Sequence, residues 1–485
     1  MAVRDNEKNQ LFLGSFIHSI KLGELQYLHD TAVCVDKSGK IIAVQSQCDQ
    51  KQAEEILYPK LGWKTNDVTV TAAKDGQFFF PGFIVPDTHI HAPQYPNVGI
   101  FGKSTLLDWL NTYTFPMEAS LSSLPKARRV YTQCVKKTLS HGTTTATYYA
   151  TIHVPSTNLL ADLCLSMGQR AFIGRVCMDN LGPDYYLDES AAQSLSATRE
   201  TISHIRSIDA DYTLISPILT PRFAPACTPE AMTALGALHK ETNLPIQTHI
   251  SENTAELDLV KDMFPRCPHY AGVYDAFDLL TPKTILAHAI HLSDAEADLV
   301  AARRAKVSHC PCSNSALTSG EARVRWLLEK NIDVGLGSDV SGGFSPSVLD
   351  AARQAVLVSN HLAMPHSHLP LSERERAKLS VEEVLHLATR GGAEVVGLSD
   401  RVGGFEVGME WDALLVGLRL VPDSDPETEN EEETEVVEVE NEEGNVDIFG
   451  WESWEDRIAK WLFNGDDRNA KKVWVRGRLV HERVR

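Results

Sequence analysis

From residue 81 to about 340 the chain repeats one pattern: a short apolar run, a turn, then a longer segment with apolar residues at helical spacing. The runs are GFIVPDTHIH, TTTATYYA, AFIGRVCM, YTLISPIL, LPIQTHI, TILAHAI, KVSHC and IDVGLGSD. They are rich in Val, Ile and Thr, as strands buried on both faces are. ARRVYTQCVKKTLSHG typifies the intervening segments, with a Gly just past the last periodic residue as a helix stop. Eight strand–helix units in sequence predict a (β/α)₈ TIM-like barrel over residues 81–404. An open doubly wound sheet would place a Gly-rich phosphate loop after its first strand; here that strand ends in His-Ile-His.

The flanking regions read differently. Residues 1–80 alternate short β-like runs with turns such as Lys37-Ser38-Gly39-Lys40 and predict a small antiparallel sheet. WDALLVGLRLV and KKVWVRGRLVHE in residues 405–485 have the same character. The two ends are therefore expected to pair into one small β-sandwich domain.

Composition adds limits. The hydrophobic fraction is 43% and the charged fraction 23%, values of a globular chain. No apolar run reaches the roughly 18–20 residues of a membrane span, and the opening MAVRDNEKNQ lacks a basic-then-apolar leader pattern. The expected location is the cytoplasm. Nine cysteines without framework spacing are expected to be reduced, and the close pair Cys310 and Cys312 to be buried structural thiols, half of a soft metal site being the alternative. The net charge of −19 is concentrated in residues 423–447, which hold 13 Asp and Glu and no Lys or Arg; the remainder carries only −6. That stretch is expected to be a solvated, disordered acidic loop, with docking of a basic protein partner as its alternative use. No basic footprint for nucleic acid is present.

The candidate chemistry lies at the strand ends. On a strand, His89 and His91 project from one face. Alone, His-x-His is a weak metal signal, equally met by two hydrogen-bonded structural histidines. Strand five, however, ends at His249 with Glu252 three residues on, strand six at His288 with His291 beyond, and strand eight at Asp339 in a Gly/Ser-rich turn. In a barrel these ends converge on one rim, where active sites lie. Three or more imidazoles and a carboxylate gathered there are ligands for zinc and its neighbours.

The set PGFIVPDTHIHAPQY, THISE, LAHAIHLS, SHCPCSN and GLGSDVSGG resembles the metal-dependent amidohydrolase superfamily. HAPQY, TPRFAPAC and GDDRN (465–469) narrow the resemblance to the branch that deaminates the purine base guanine. The resemblance spans nearly the whole chain, with the acidic loop as an insertion. It implies a single ion on His89, His91, His249 and Asp339, because SPILTPRF offers no Lys to bridge a second; zinc is preferred, with iron the alternative. It implies Asp339 as proton acceptor, His288 as the group that orients the water, and Glu252 as proton carrier to the ring and the leaving amine. Substrate contacts are implied for His91, Ala92, Pro93, Gln94, Arg222, Phe223, His249, Glu252 and Asp339. LLDWLNTYTFPME is expected to wall the pocket through Trp109, Tyr113 and Phe115, with plain packing as the equal alternative. A homodimer is also implied. Rival readings are a deaminase of cytosine, a triazine or an adenosine derivative, and a non-enzymatic scaffold on the same fold.

Overall fold

The computed structural model describes residues 6–421 and 444–483, and the side chains of residues 86–89 lie outside the description. Each of the eight apolar runs carries a strand: β1 Phe83–His91, β2 Thr143–Tyr149, β3 Arg170–Gly174, β4 Ile215–Pro217, β5 Ile246–Ile250, β6 Thr284–His288, β7 Lys306–His309 and β8 Val334–Leu336. All seven residues of β2 are buried, which explains a run without polar alternation. Hydrogen bonding groups β4-β3-β2-β1 in one parallel sheet and β5-β6-β7-β8 in another. Single parallel bridges join them, Leu219 to Ile246 on one side and Ile90 to Val340 on the other. The result is a TIM-barrel-like α/β arrangement with helices such as Leu124–Ser140, Val154–Met167 and Val348–Ala363 packed outside.

Strands from both ends of the chain form a separate eight-stranded sheet. Asn9–Lys21 lies inside it, paired antiparallel with Glu24–Val35 and parallel with Val68–Ala72 and Gln77–Pro81. The sheet is therefore mixed, which corrects the purely antiparallel expectation. Gln77–Pro81 pairs with Ala413–Gly417, which in turn pairs with Ala470–Val475, so the two termini share one hydrogen-bonded ladder. Along Asn9–Lys21, Phe12 and Phe16 enter an aromatic cluster with Phe79, Trp411 and Trp474, while Leu11 and Leu13 pack on Cys34, Leu57 and Tyr58. This is the strand period of two, expressed as two cores.

The helix Trp454–Asn464, capped by Ser453, was not anticipated. Its Trp461 packs on Phe80 and Phe83, joining the terminal sheet to the first parallel strand. All nine cysteines are free thiols, and Cys310 and Cys312 are buried. Residues 423–443 of the acidic stretch lie outside the described residues; beyond them, Asp447 pairs with Arg419 at 2.6 Å. Among the described residues no helix is long and apolar enough to cross a membrane.

Candidate active site at the carboxyl ends of the parallel strands

A cavity opens among His91, Arg222, Phe223, His249, Glu252, Glu256, His288 and Asp339, with Leu106, Trp109, Leu110 and Leu317 as apolar wall. Residues separated by up to 248 positions meet because each follows a parallel strand to the same end. His288 and Asp339 hold left-handed backbones, φ 68° and 43°, which are uncommon for side-chain-bearing residues and aim these groups off the strand ends. The turn after Asp339 needs Gly343: a Cβ there would stand 2.1 Å from the Ser338 carbonyl oxygen.

The imidazoles are held in defined states. His249 Nδ1 lies 2.5 Å from the Arg222 carbonyl oxygen, an acceptor only, so Nδ1 donates and Nε2 keeps its lone pair. Burial, reinforced by His288 and His91, holds the His249 pKa well below the ordinary value. Burial also lowers that of His91, partly offset by Glu118, whose Oε1 lies 3.5 Å from His91 Nδ1. Neutral imidazole is the metal-binding form. The His91 and His249 ring centroids are 5.9 Å apart; two rings on one ion at about 2.1 Å per nitrogen stand roughly 5–6 Å apart. These residues therefore fit a divalent ion. Among the described residues no trio of His, Cys, Asp or Glu forms a finished metal cage, and the His89 side chain lies outside them.

Glu252 lines the cavity beside His288. It is buried at the start of the turn after β5, and Ser319 Oγ donates to its Oε1 at 3.2 Å. Its Oε2 lies 3.3 Å from His288 Nε2, and His288 Nδ1 lies 2.8 Å from Asn314 Oδ1. Burial pushes the Glu252 pKa up to about 7, with Ser319 opposing. Such a carboxyl exchanges protons near neutrality, as a group that both donates and accepts must. Glu256 fixes the turn by accepting from Glu252 N at 2.8 Å, and burial raises its pKa to about 7 as well.

Arg222 and Phe223 follow β4 at the cavity. The Arg222 guanidinium lies 5.1 Å over the Phe115 ring and grips Glu118 with both terminal nitrogens, at 2.7 and 3.1 Å. Burial alone would raise the Glu118 pKa, yet Arg222 and His91 hold it at about 2, an ionised carboxylate. Trp109 is in the cavity wall; Phe115 lies behind, under Arg222, and the Tyr113 carbonyl accepts from Asn97 at 3.0 Å.

Three expected substrate contacts are placed elsewhere than the cavity wall. Ala92, Pro93 and Gln94 are buried in the 3₁₀ turn Ala92–Asn97, which folds inward once β1 ends. Gln94 Nε2 donates to the Thr114 carbonyl at 2.9 Å and to Glu118 Oε1 at 3.0 Å, and its Oε1 accepts from Asn97 at 3.0 Å. His291 donates from Nε2 to the Ser319 carbonyl and is likewise outside the wall. GDDRN turns at the terminal sheet, where Asn469 bonds the Gly417 carbonyl and Asp467 meets Lys137 at 2.6 Å. Residues not singled out from sequence are Glu118, Glu256, Asn314 and Ser319. Asn314 stood inside the quoted SHCPCSN and Glu118 closed LLDWLNTYTFPME, but only their partners reveal what they do.

Parallel strands deliver imidazoles and carboxylates to one end, around a cavity, in a TIM-barrel-like arrangement. The Amidohydrolase family model matches residues 78–480, and the chain belongs to the amidohydrolase family. That family generally uses a divalent metal ion. A probable guanine deaminase of Schizosaccharomyces pombe is 47% identical over 98% of this chain and 84% of its own length. The Homo sapiens guanine deaminase is 39% identical over 97% and 96%. The structure of a guanine deaminase from C. acetobutylicum with guanine in its active site superposes with a TM-score of 0.81, at 31% identity, covering 98% of this chain and 100% of that one. A triazine hydrolase at 20% identity and TM-score 0.77, covering 98% and 95%, shares the fold alone.

Proposed function

We propose that this chain deaminates guanine hydrolytically, converting guanine and water to xanthine and ammonia with one bound divalent ion, zinc by preference and iron as the alternative. The observation that carries the reading is Glu252, a buried carboxyl held near neutrality beside His288 in a cavity that also presents the Arg222 fork. The relatives supply the substrate class.

The ion, held by His89, His91, His249 and Asp339, supplies Lewis-acid activation of water when bound. Everything else falls to the chain. The His249 Nδ1 bond to the Arg222 carbonyl fixes the ring and leaves Nε2 as the ligand nitrogen. Asp339 accepts a proton as the water oxygen bonds to carbon 2 of the purine. Glu252 gives its proton to the adjacent ring nitrogen, takes up the water proton held by Asp339 and passes it to the exocyclic amine, so that the carbon–nitrogen bond breaks and ammonia leaves while the proton of the new carbon-2 hydroxyl restores Glu252. His288, tied by Asn314, orients the attacking oxygen. Arg222 meets the 6-oxo group with a planar set of donors, Phe223 offers a ring face, and Gln94 supports that polar edge through Glu118.

The remaining assignments rest on the resemblance, on composition and on topology: a closed eight-stranded barrel, on the two bridges that join its sheets; domains at 1–80, 81–404 and 405–485; a cytoplasmic homodimer; and a solvated acidic loop at 423–447, with docking of a basic partner as its alternative use. The test of the function is ammonia release. Protein carrying one equivalent of zinc is expected to deaminate guanine and leave adenine and cytosine untouched; zinc-loaded protein inert towards guanine would overturn the reading.

A further inference from the structure

Glu118 is fully buried and absent from the cavity wall, yet it touches three residues assigned to substrate or ion. Its Oε2 takes Arg222 Nη1 at 2.7 Å. Its Oε1 takes Arg222 Nη2 at 3.1 Å and Gln94 Nε2 at 3.0 Å, and stands 3.5 Å from His91 Nδ1. A bidentate pair fixes the plane of a guanidinium as well as its position. Without it, a long Arg side chain retains rotational freedom about several bonds and loses on binding whatever order it lacked beforehand. Phe115 lies across one face of the guanidinium, with the cation 5.1 Å from the ring centroid, so rotation is restrained from a second direction. Two of the five N–H bonds of Arg222 are committed to the carboxylate, Nη1 also faces Met178 Sδ at 3.8 Å, and Arg222 lines the cavity.

The site could have been built otherwise. A neutral acceptor would satisfy two N–H bonds, but it would leave the Arg222 cation buried without a counter-charge. An ionised carboxylate cancels that charge at the point where it arises, and its second lone pair on Oε1 reaches Gln94, tying both polar side chains to one atom pair. We propose that Glu118 is the positioning residue for purine recognition: braced from behind by the Gln94 amide, it holds the Arg222 guanidinium in a fixed plane, so that the 6-oxo edge of the base meets an arranged Arg222 donor. Glu118 acts through these residues and touches no reacting atom. The inference rests on the functional reading above, in which Arg222 meets the 6-oxo group.

The test separates the two. Inhibition constants against guanine turnover are measured for hypoxanthine, which keeps the 6-oxo group, and for purine, which lacks it, using the zinc-loaded full chain. In Glu118→Gln the hypoxanthine constant is expected to rise by about tenfold or more while that of purine stays within about twofold, with zinc content unchanged. A folded, zinc-loaded Glu118→Gln that keeps the wild-type preference for hypoxanthine over purine overturns the proposal alone. Wild-type protein that fails to turn over guanine overturns the functional reading and this one with it. If Glu118→Gln does not fold, Arg222→Met is compared with Glu118→Gln/Arg222→Met, which leaves no unpaired buried charge. The proposal requires the same hypoxanthine-to-purine ratio in both; a further loss of discrimination in the double variant overturns it.

Discussion

Arg170 and Arg222 are both buried guanidinium groups facing carboxylates, at opposite ends of the parallel strands. Arg170 opens β3 at its amino end and meets Glu410 at 2.6 Å, Asp412 at 3.2 Å and the Thr213 carbonyl at 2.8 Å. Arg401 and Arg476 complete the cluster on Glu410, at 2.8 and 3.3 Å, so cation and anion close on one another at the seam between the parallel strands and the terminal sheet. Arg222 follows β4 at the carboxyl end, with one carboxylate partner and a cavity beside it. The same two functional groups thus do different things. Where the polar network is complete within the protein it fastens two parts of the fold; where it is left open at one edge it can read a ligand. In TIM barrels the carboxyl ends carry chemistry and the amino ends carry stability, a division that this TIM-barrel-like arrangement follows.

The largest expected effect lies at the open end. Glu252→Gln keeps the shape of the side chain and removes its exchangeable proton, so kcat for guanine should fall by about 10²–10⁴-fold. Thermal denaturation should barely move; full activity in this variant would remove the proton-carrying role. At the closed end, Asp412→Ala leaves Arg170 with part of its charge unanswered and should cost about 3 kcal/mol of stability, read from urea unfolding, with kcat/KM within about twofold of wild type. A loss of turnover at unchanged stability would erase the distinction between the two ends. The smallest effect is one of pH. Burial raises the carboxyls of Glu252 and Glu256 from 4.5 to about 7 in the folded chain. Between those values these two carboxyls bind more protons in the folded chain than in the unfolded one, so their contribution to stability declines as pH rises through that window, against the opposite contribution of buried histidines such as His249 and His386. Urea midpoints of wild type and Glu256→Gln from pH 5 to 8 check this: the stability of wild type relative to the variant should fall as pH rises, and a relative rise would contradict the assignment.

Legibility in the sequence follows the same division. The eight parallel strands were readable because they are buried on both faces and therefore appear as uninterrupted apolar runs. His249, His288 and Asp339 were readable as the polar residues that terminate those runs. Glu118 was not: it lies in a stretch whose Leu, Trp and Phe read as packing, and its partner Arg222 is 104 residues away. Gln94 was singled out for its amide, but nothing local announced that Thr114, Asn97 and Glu118 would engage it. The helix Trp454–Asn464 did carry a signal, Ser453 as cap and apolar residues at 454, 458, 461 and 462, overshadowed by the acidic stretch before it. The terminal sheet was foreseeable as strands, whereas parallel pairing of Asn9–Lys21 with two later strands depends on chain reversals that periodicity does not encode.

The most direct test is a product balance on the purified chain loaded with one equivalent of zinc and supplied with guanine. Xanthine and ammonia should appear in equal amounts as guanine disappears, and both should vanish when the zinc is removed and return when it is restored. Guanine left unchanged by fully zinc-loaded protein, or ammonia released without xanthine, would contradict the account.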